Sequence, residues 1–172
     1  MKKFSDISPI YSIEHDAILS KMGDLTLGFS VVLPEIFTMS AGEYEAIHQA
    51  WVRAIKVLPN NCVFHKQDWF IEQNYQGNFS GELSFLSRSS ERFFNERPYL
   101  DHSCYLFLAM KPVGRQGVTS MFSTLLKKHI VPVETLDEKC FTDFASTVSQ
   151  FERVLNDNGI QTKRLSNAEL EK

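Results

Sequence analysis

The stretch LTLGFSVVL, residues 25–33, decides the fold class of this chain. Its odd-numbered positions are all Leu, Phe or Val, and three of the four positions between them are Thr, Gly or Ser. This two-residue period predicts a β-strand with one face on a hydrophobic core, and Pro34 ends its ladder. Residues 13–19 are a weaker strand candidate, and the turn-like residues 21–24 predict a hairpin between the two.

Two helices are predicted by capping boxes that precede apolar stripes. Residues 40–43, SAGE, and 135–138, TLDE, place a hydroxyl and a carboxylate where they satisfy free backbone N–H groups at a helix start. Pro59 ends the first helix, and Gly159 supplies a left-handed cap for the second. The spacing predicts that each helix faces the core with one stripe: Tyr44, Ile47, Trp51, Ile55 and Leu58 in the first, and Phe141, Phe144, Val148, Phe151 and Leu155 in the second.

Three further strands and an inserted helix complete the pattern. Residues 62–71 alternate imperfectly, which predicts a bulge or an edge position. Residues 104–110 are apolar at both odd and even positions, which is typical of a strand covered on both faces. Residues 160–165 predict a short last strand, and residues 82–96 have the composition of a helix that ends at Arg97.

Without its insertions, the order strand, helix, strand, strand, helix, strand predicts an α+β fold, a ferredoxin-like split βαβ sandwich. An antiparallel sheet would carry two helices on one face, with an N-terminal hairpin and helical and loop insertions added. Residues 104–110 predict a central strand whose second face is covered by the region 80–100 or by a partner. Because this fold hosts many unrelated activities, it does not by itself indicate a function.

Composition favours one globular domain and disfavours two classes of protein. With 172 residues, 43% hydrophobic and 23% charged, the chain can bury a core. A net charge of -3 and a pI near 6.0 disfavour a domain whose main task is to hold nucleic-acid backbones. No apolar run is long enough to span a bilayer, and the first residues do not lead into the apolar stretch of a signal peptide. We therefore expect a cytoplasmic protein.

Sequence motifs for nucleotide binding or nucleophilic catalysis are missing. A P-loop needs a Lys and a hydroxyl residue after its glycines, whereas Gly23 and Gly28 lead into Phe29 and Ser30. The Ser and His residues form no recognisable nucleophile elbow. We therefore predict no catalytic residue and no cofactor-binding residue in this chain.

Cysteine and histidine give no convincing metal site. Cys62, His65, His102 and Cys104 lie on two strands that this fold can place side by side, but their spacing and alternation match no zinc motif. With Cys140, the three cysteines are odd in number and widely spaced, so we expect free thiols rather than a disulfide framework. We predict no metal-ligating residue.

The region 112–133 is predicted to be a flexible insertion that contacts a partner. It shows no clear period, and its Pro and Gly residues are typical of a long excursion. A basic and partly amphipathic segment of this kind can touch a membrane surface, an acidic partner or DNA, or its apolar residues can fold back onto the domain. The partner-contact candidates are Arg115, Met121, Phe122, Lys127 and Lys128.

Eight segments, in one order, resemble the N-terminal region of the Bacteroides-type TraG family of conjugation ATPases. The resemblance weakens after Lys111. The segments are MGDLTLGF (22–29), LPEIF (33–37), HQAWV (48–52), IKVLPN (55–60), HKQDWF (65–70), FLSRS (85–89), FFNERPYL (93–100) and HSCYLFL (102–108).

The resemblance implies a protein similar to the VirB-type ATPases of type IV secretion. In that family ATP and Mg²⁺ bind a C-terminal motor domain, and the N-terminal part docks onto the transfer channel at the cytoplasmic face of the inner membrane. It further implies contact with other conjugation channel proteins and self-association through the full-length ATPase.

The leading hypothesis is a non-catalytic N-terminal assembly domain that spans residues 1–172 and is excised from a longer ATPase. A third capping box, residues 166–169, would open a helix that has no room before Lys172, which favours a chain that continues. Two alternatives stay open. One is a ferredoxin-like regulatory module that holds a small ligand, and the other is a module that contacts single-stranded DNA weakly.

Overall fold

The computed structural model of this chain describes residues 8–79, 84–111 and 138–171. These residues fall into two compact units, one within residues 1–66 and 105–172 and one within residues 67–104. The predicted insertion at 112–133 and residues 135–137 of the predicted capping box lie outside the described residues.

The first three strands form a meander. These are β1 (Ile10–Glu14), β2 (Ala17–Ser20) and β3 (Leu25–Val32), paired antiparallel in that order. His15 and Asp16 join β1 to β2 with φ values of 54° and 57°, the left-handed pair that a type I′ hairpin turn requires. The single strand predicted at residues 13–19 is therefore wrong, because the turn is built from His-Asp instead of the Asn-Gly that signals such a turn in a sequence.

The predicted strand at residues 25–33 and its hairpin are confirmed. β2 and β3 are joined through a turn in which Gly23 has a φ of 84°. The N–H of Ser20 donates to the carbonyl of Asp24 at 2.9 Å and closes the turn. Glycine adopts this left-handed backbone without steric cost.

The first predicted helix is confirmed as α1 (Ala41–Val57). Its capping box is formed: Ser40 Oγ accepts from the N–H of Glu43, and the Glu43 carboxylate accepts from the N–H of Ser40 at 2.7 Å. The predicted apolar stripe is wrong in part. The buried residues are Ala50 and Ala54, whereas Tyr44 and Ile55 are exposed.

The second predicted helix is confirmed as α3, after the inserted helix α2 (Phe85–Asn95) that follows β4 (Cys62–Asn74). α3 runs over Glu138–Asn156 and buries Phe144, Val148, Phe151 and Leu155, as its spacing predicts. Gly159 ends it with a φ of 84°, and the N–H of Ile160 donates to the carbonyl of Leu155 at 3.1 Å.

The sheet has the strand order of a split βαβ sandwich, with β5 (Pro98–Met110) and β6 (Gln161–Arg164) as its remaining strands. Neighbouring strands run β1-β2-β3-β5-β4, and β6 also pairs with β3. The βαβ motif formed by β3, α1 and β4 thus has β5 between its two strands. The motif formed by β5, α3 and β6 has β3 between its two strands. The α+β fold, the central position of β5 and the edge position of β4 are as predicted.

The core of the first unit lies between the sheet and the helices α1 and α3. Trp51 of α1 and Phe151 of α3 both contact the ring of Phe64 on β4, with centroids 6.0 and 6.1 Å apart. The sheet contributes the buried side chains of Leu25, Leu27, Phe29 and Val31 from β3, and of Leu106 and Leu108 from β5.

The second face of the sheet carries the short helix α4 (Asn167–Leu170). An added Cβ on Gly28 would lie 3.0 Å from Leu165, 3.1 Å from Leu170 and 3.1 Å from Phe107, so this glycine lets three side chains approach β3 closely. The expectation that no helix has room to form after Ser166 is wrong, because one turn forms here. It is held by the Glu169 carboxylate, which accepts from the Ser166 N–H at 2.9 Å.

Candidate protein-docking site

The second unit, Gln67–Cys104, holds an unusual density of exposed apolar side chains. It consists of the second half of β4, the helix α2 and the first half of β5. Ser84 begins α2, where its Oγ accepts from the N–H of Ser87 at 3.2 Å. Exposed apolar side chains at this density are typical of an interaction site. The exposed residues are Trp69, Phe70, Ile71, Tyr75, Phe79, Phe85, Leu86, Phe93, Phe94, Tyr99 and Leu100.

An open groove lies in this unit between α2 and the ends of β4 and β5. Its volume is about 680 Å³, and we call it the α2 groove. Half of its lining residues are aromatic, and one is acidic and one basic. The lining consists of Tyr75, Ser90, Glu91, Phe93, Phe94, Arg97, Pro98 and Tyr99.

Edge-to-face ring contacts shape one wall of the α2 groove. The ring centroids of Tyr75 and Phe94 are 6.2 Å apart, and those of Phe93 and Phe94 are 5.3 Å apart at an angle of 88°. The Arg97 guanidinium lies 3.9 Å above the centroid of Phe93. These interactions fix the rings in place, so that a partner need not order them.

Glu91 ties the wall to the segment that follows β4. Its Oε2 accepts from the Tyr75 hydroxyl at 3.0 Å and from the Asn78 N–H at 2.9 Å. The hydrogen bond to Glu91, with lesser contributions from desolvation and the Glu91 charge, raises the pKa of Tyr75 above its ordinary value of 10. Nearby, the Gly77 N–H donates to Asn95 Oδ1 at 3.0 Å.

Four charged residues, Glu91, Arg92, Glu96 and Arg97, lie near the end of α2 and directly after it, at spacings that allow an i,i+4 ion pair. Arg92 and Glu96 do form such a pair, at 2.7 Å on the exposed surface, which raises the pKa of Arg92. Glu91 instead bonds to Tyr75, and Arg97 stacks on Phe93. Two of the four charged residues thus belong to the groove.

A second aromatic contact in this unit joins its two strands. The rings of Phe70 on β4 and His102 on β5 stack with centroids 4.6 Å apart and 15° between their planes. His102 Nε2 also lies 2.9 Å from Asp68 Oδ1. His102 therefore has a structural position between two side chains of β4.

Metal-ligating side chains do not cluster in the part of the chain that the structure describes. No set of three or more His, Cys, Asp or Glu side chains there is placed to hold a metal ion. The described cysteines are free thiols, and burial raises the pKa of Cys62 above 9.0, which disfavours the reactive thiolate. His65 contacts Phe107 with ring centroids 6.3 Å apart.

The sequence-predicted contact residues and the groove are different parts of the chain. Arg115, Met121, Phe122, Lys127 and Lys128 lie outside the described residues, so the structure does not place them. Tyr75, Phe94 and Tyr99 were not predicted to form a site. The high aromatic content was a signal for them, but composition does not distinguish core rings from surface rings.

The first unit has its own smaller cavity, of about 460 Å³, beside the start of α1. Pro34, Met39, Ala46, Ile47 and Gly159 are among its lining residues. In the adjacent 3-10 helix Ile36–Thr38, the side chain of Phe37 is 97% exposed. This exposed ring is not part of the α2 groove.

Comparison with known proteins yields one partial match. A family model described as "Domain of unknown function, B. Theta Gene description (DUF3875)" matches residues 1–49, the part of the chain that ends within α1. None of the curated proteins matches the chain significantly. Among the described residues, no helix has the length and apolar character needed to cross a membrane.

Proposed function

We propose that this chain is a non-catalytic docking domain of a conjugative-transfer ATPase, and that its α2 groove binds another protein of the transfer apparatus. The observation that carries the proposal is the groove itself, in which rings held by mutual contacts stay exposed. Aromatic and arginine side chains of this kind dominate protein interfaces. The resemblance to TraG-family N-terminal regions supplies the class of protein and the expected position at the cytoplasmic face of the inner membrane.

Charge favours a protein partner over nucleic acid at this site. The sequence from Gln67 to Cys104 carries six acidic and three basic side chains, a formal charge of -3. A surface of that sign repels phosphate backbones. A DNA-contacting role would rest on Lys127 and Lys128, and a steep salt dependence of single-strand binding that disappears on their neutralisation would support it.

The groove volume supports a second candidate, binding of a small aromatic or apolar ligand. About 680 Å³ lies in the range of ligand pockets, but such pockets enclose most of the ligand. Phe93, Phe94 and Tyr99 are all exposed, so a ligand here would stay largely in water. The protein-docking candidate is therefore the better supported.

The proposal is tested by co-purification of the whole chain with each transfer-channel protein that is encoded by the same conjugative element. We expect Phe94→Ala to weaken capture about tenfold or more, because truncation of a central interface ring removes a dominant contact. Phe37→Ala is the matched control, since it removes an exposed ring outside the groove, and it should leave capture unchanged.

Two results would count against this function. Equal capture of the wild-type chain, Phe94→Ala and Phe37→Ala would remove the groove from the interface. Steady ATP turnover by the purified chain, abolished by a point change within it, would show that the domain is catalytic.

A further inference from the structure

Among the described strands, β4 lies at one edge of the sheet. Its one neighbour among the described strands is β5, so the opposite edge of β4 has no described strand beside it. An edge strand presents a row of backbone N–H and C=O groups that can pair with another strand. This edge therefore offers a surface for strand addition that is independent of the α2 groove and of the proposed function.

The composition of β4 suits strand addition. The strand runs over Cys62–Asn74, thirteen residues that include neither Pro nor Gly. Every residue can therefore donate and accept in a ladder. Its second half presents exposed Trp69, Phe70 and Ile71, side chains that are typical of strands and stabilise cross-strand pairs.

The charges of β4 are arranged so that the strand is complementary to itself. Lys66, Asp68 and Glu72 lie two or four residues apart, on one face of the strand, with the basic residue toward its start. When two identical strands pair antiparallel about a two-fold axis perpendicular to the sheet, a residue before the axis faces one equally far after it. With the axis at Trp69, Lys66 of each copy faces Glu72 of the other.

Neighbouring registers are less favourable. With the axis at Asp68, that carboxylate faces itself, and with the axis at Phe70, Asp68 faces Glu72. Like charges directly opposite each other destabilise a strand pair. An axis at Gln67 would pair Lys66 with Asp68, whose Oδ1 is already 2.9 Å from His102 Nε2.

We propose that a second copy of this chain adds to the sheet through the edge of β4 that has no described strand beside it, antiparallel, with the two-fold axis at Trp69 and Lys66 of each copy opposite Glu72 of the other. The two Trp69 side chains, each 50% exposed in one copy, then face each other across the axis. Aromatic pairs of this kind add to the ladder hydrogen bonds and to the two ion pairs.

The test is sedimentation equilibrium of the whole chain over a range of concentrations. We expect a monomer–dimer equilibrium that weakens about tenfold in Lys66→Glu, because two attractive pairs become two repulsive ones. Glu72→Lys should weaken it similarly. The double variant K66E/E72K should restore dimerisation, since each copy again supplies both charges.

The rescue separates the proposal from its rivals. If the single variants failed to dimerise because they did not fold, the double variant, which carries both changes, would not regain dimerisation. A chain that stays monomeric at every concentration overturns the proposal, as does a double variant that stays as weak as the single ones. Rescue of K66E by Asp68→Lys and not by Glu72→Lys overturns the Trp69 register in favour of an axis at Gln67.

Discussion

The backbone N–H of Asp16 donates to the side chain of Asn167 at 2.7 Å, and the backbone N–H of Asn167 donates to the side chain of Asp16 at 2.9 Å. This reciprocal pair joins the β1–β2 turn to the first residue of α4. It lies where two strands meet on one edge of β3. Along β3, the pairing with β2 runs as far as Leu27, which lies opposite Ala17. The pairing with β6 starts at Phe29, which lies opposite Arg164.

The Asp16–Asn167 pair should stabilise the first unit. We expect Asn167→Ala and Asp16→Ala each to lower the free energy of unfolding by about 1 to 2 kcal/mol, since each leaves a part-buried N–H without its acceptor. The double variant should lose less than the sum. Urea unfolding in a Trp69→Phe background, where Trp51 reports the first unit, measures this, and Asp16→Asn is the control because it keeps an acceptor. Strictly additive losses would show that the two residues act separately.

Glu169 should make α4 sensitive to acid. The backbone N–H of Ser166, its hydroxyl and Lys163 lower the pKa of Glu169 from 4.5 to about 2. Because the pKa is lower in the folded chain, this stabilisation is complete above pH 4.5 and is lost as the pH falls toward 2. The melting temperatures of the wild-type chain and Glu169→Gln should therefore differ at pH 6 and converge as the pH approaches 2. A constant difference across that window would contradict the pKa shift.

Two glycine substitutions should change the free energy of unfolding in opposite directions. Gly28→Ala places a Cβ 3.0 to 3.1 Å from Leu165, Leu170 and Phe107, so we expect a loss of about 1 to 3 kcal/mol from overpacking. Gly42→Ala meets no atom within 4 Å in the first turn of α1 and should stabilise the chain by up to about 1 kcal/mol. Chemical unfolding of both variants measures the two changes in the free energy of unfolding. An equal effect of the two changes would mean that β3 and α4 are not in close contact.

Tyr75 should ionise at a higher pH than an ordinary tyrosine. Its hydroxyl donates to Glu91, which raises the pKa of Tyr75 above 10, so Glu91→Gln should bring that pKa back toward 10. An NMR titration of the labelled tyrosine rings, with Tyr75→Phe to assign the signal, measures both values. If Glu91→Gln leaves the titration unchanged, the hydrogen bond that fixes the groove wall is absent.

Local patterns were sufficient to predict most elements of the fold. The alternation of β3, the capping box at Ser40 and the stripe of α3 are all properties of short segments, and each is found as predicted. The orientation of α1 is not such a property. Its buried side chains are the small Ala50 and Ala54, so the largest apolar residues are a poor guide to which side of this helix faces inward.

The candidate site was beyond prediction for a related reason. Tyr75 and Glu91 are sixteen residues apart, and Phe70 and His102 are thirty-two apart, so no periodicity links them. Their contacts depend on how α2 lies beside its two strands. The sequence predicts the helix and its charged composition, but it does not show that Glu91 bonds outside the helix while Arg92 bonds within it.

One edge of β3 is completed by two strands that are far apart in the sequence. β2 covers its first half, whereas β6, which begins at Gln161, covers its second half. During synthesis the hairpin can pair with β3 early, but a nascent chain exposes the rest of this edge until β6 has left the ribosome. Translation that stops before Ile160 should therefore yield an aggregation-prone intermediate that chaperones bind or proteases degrade.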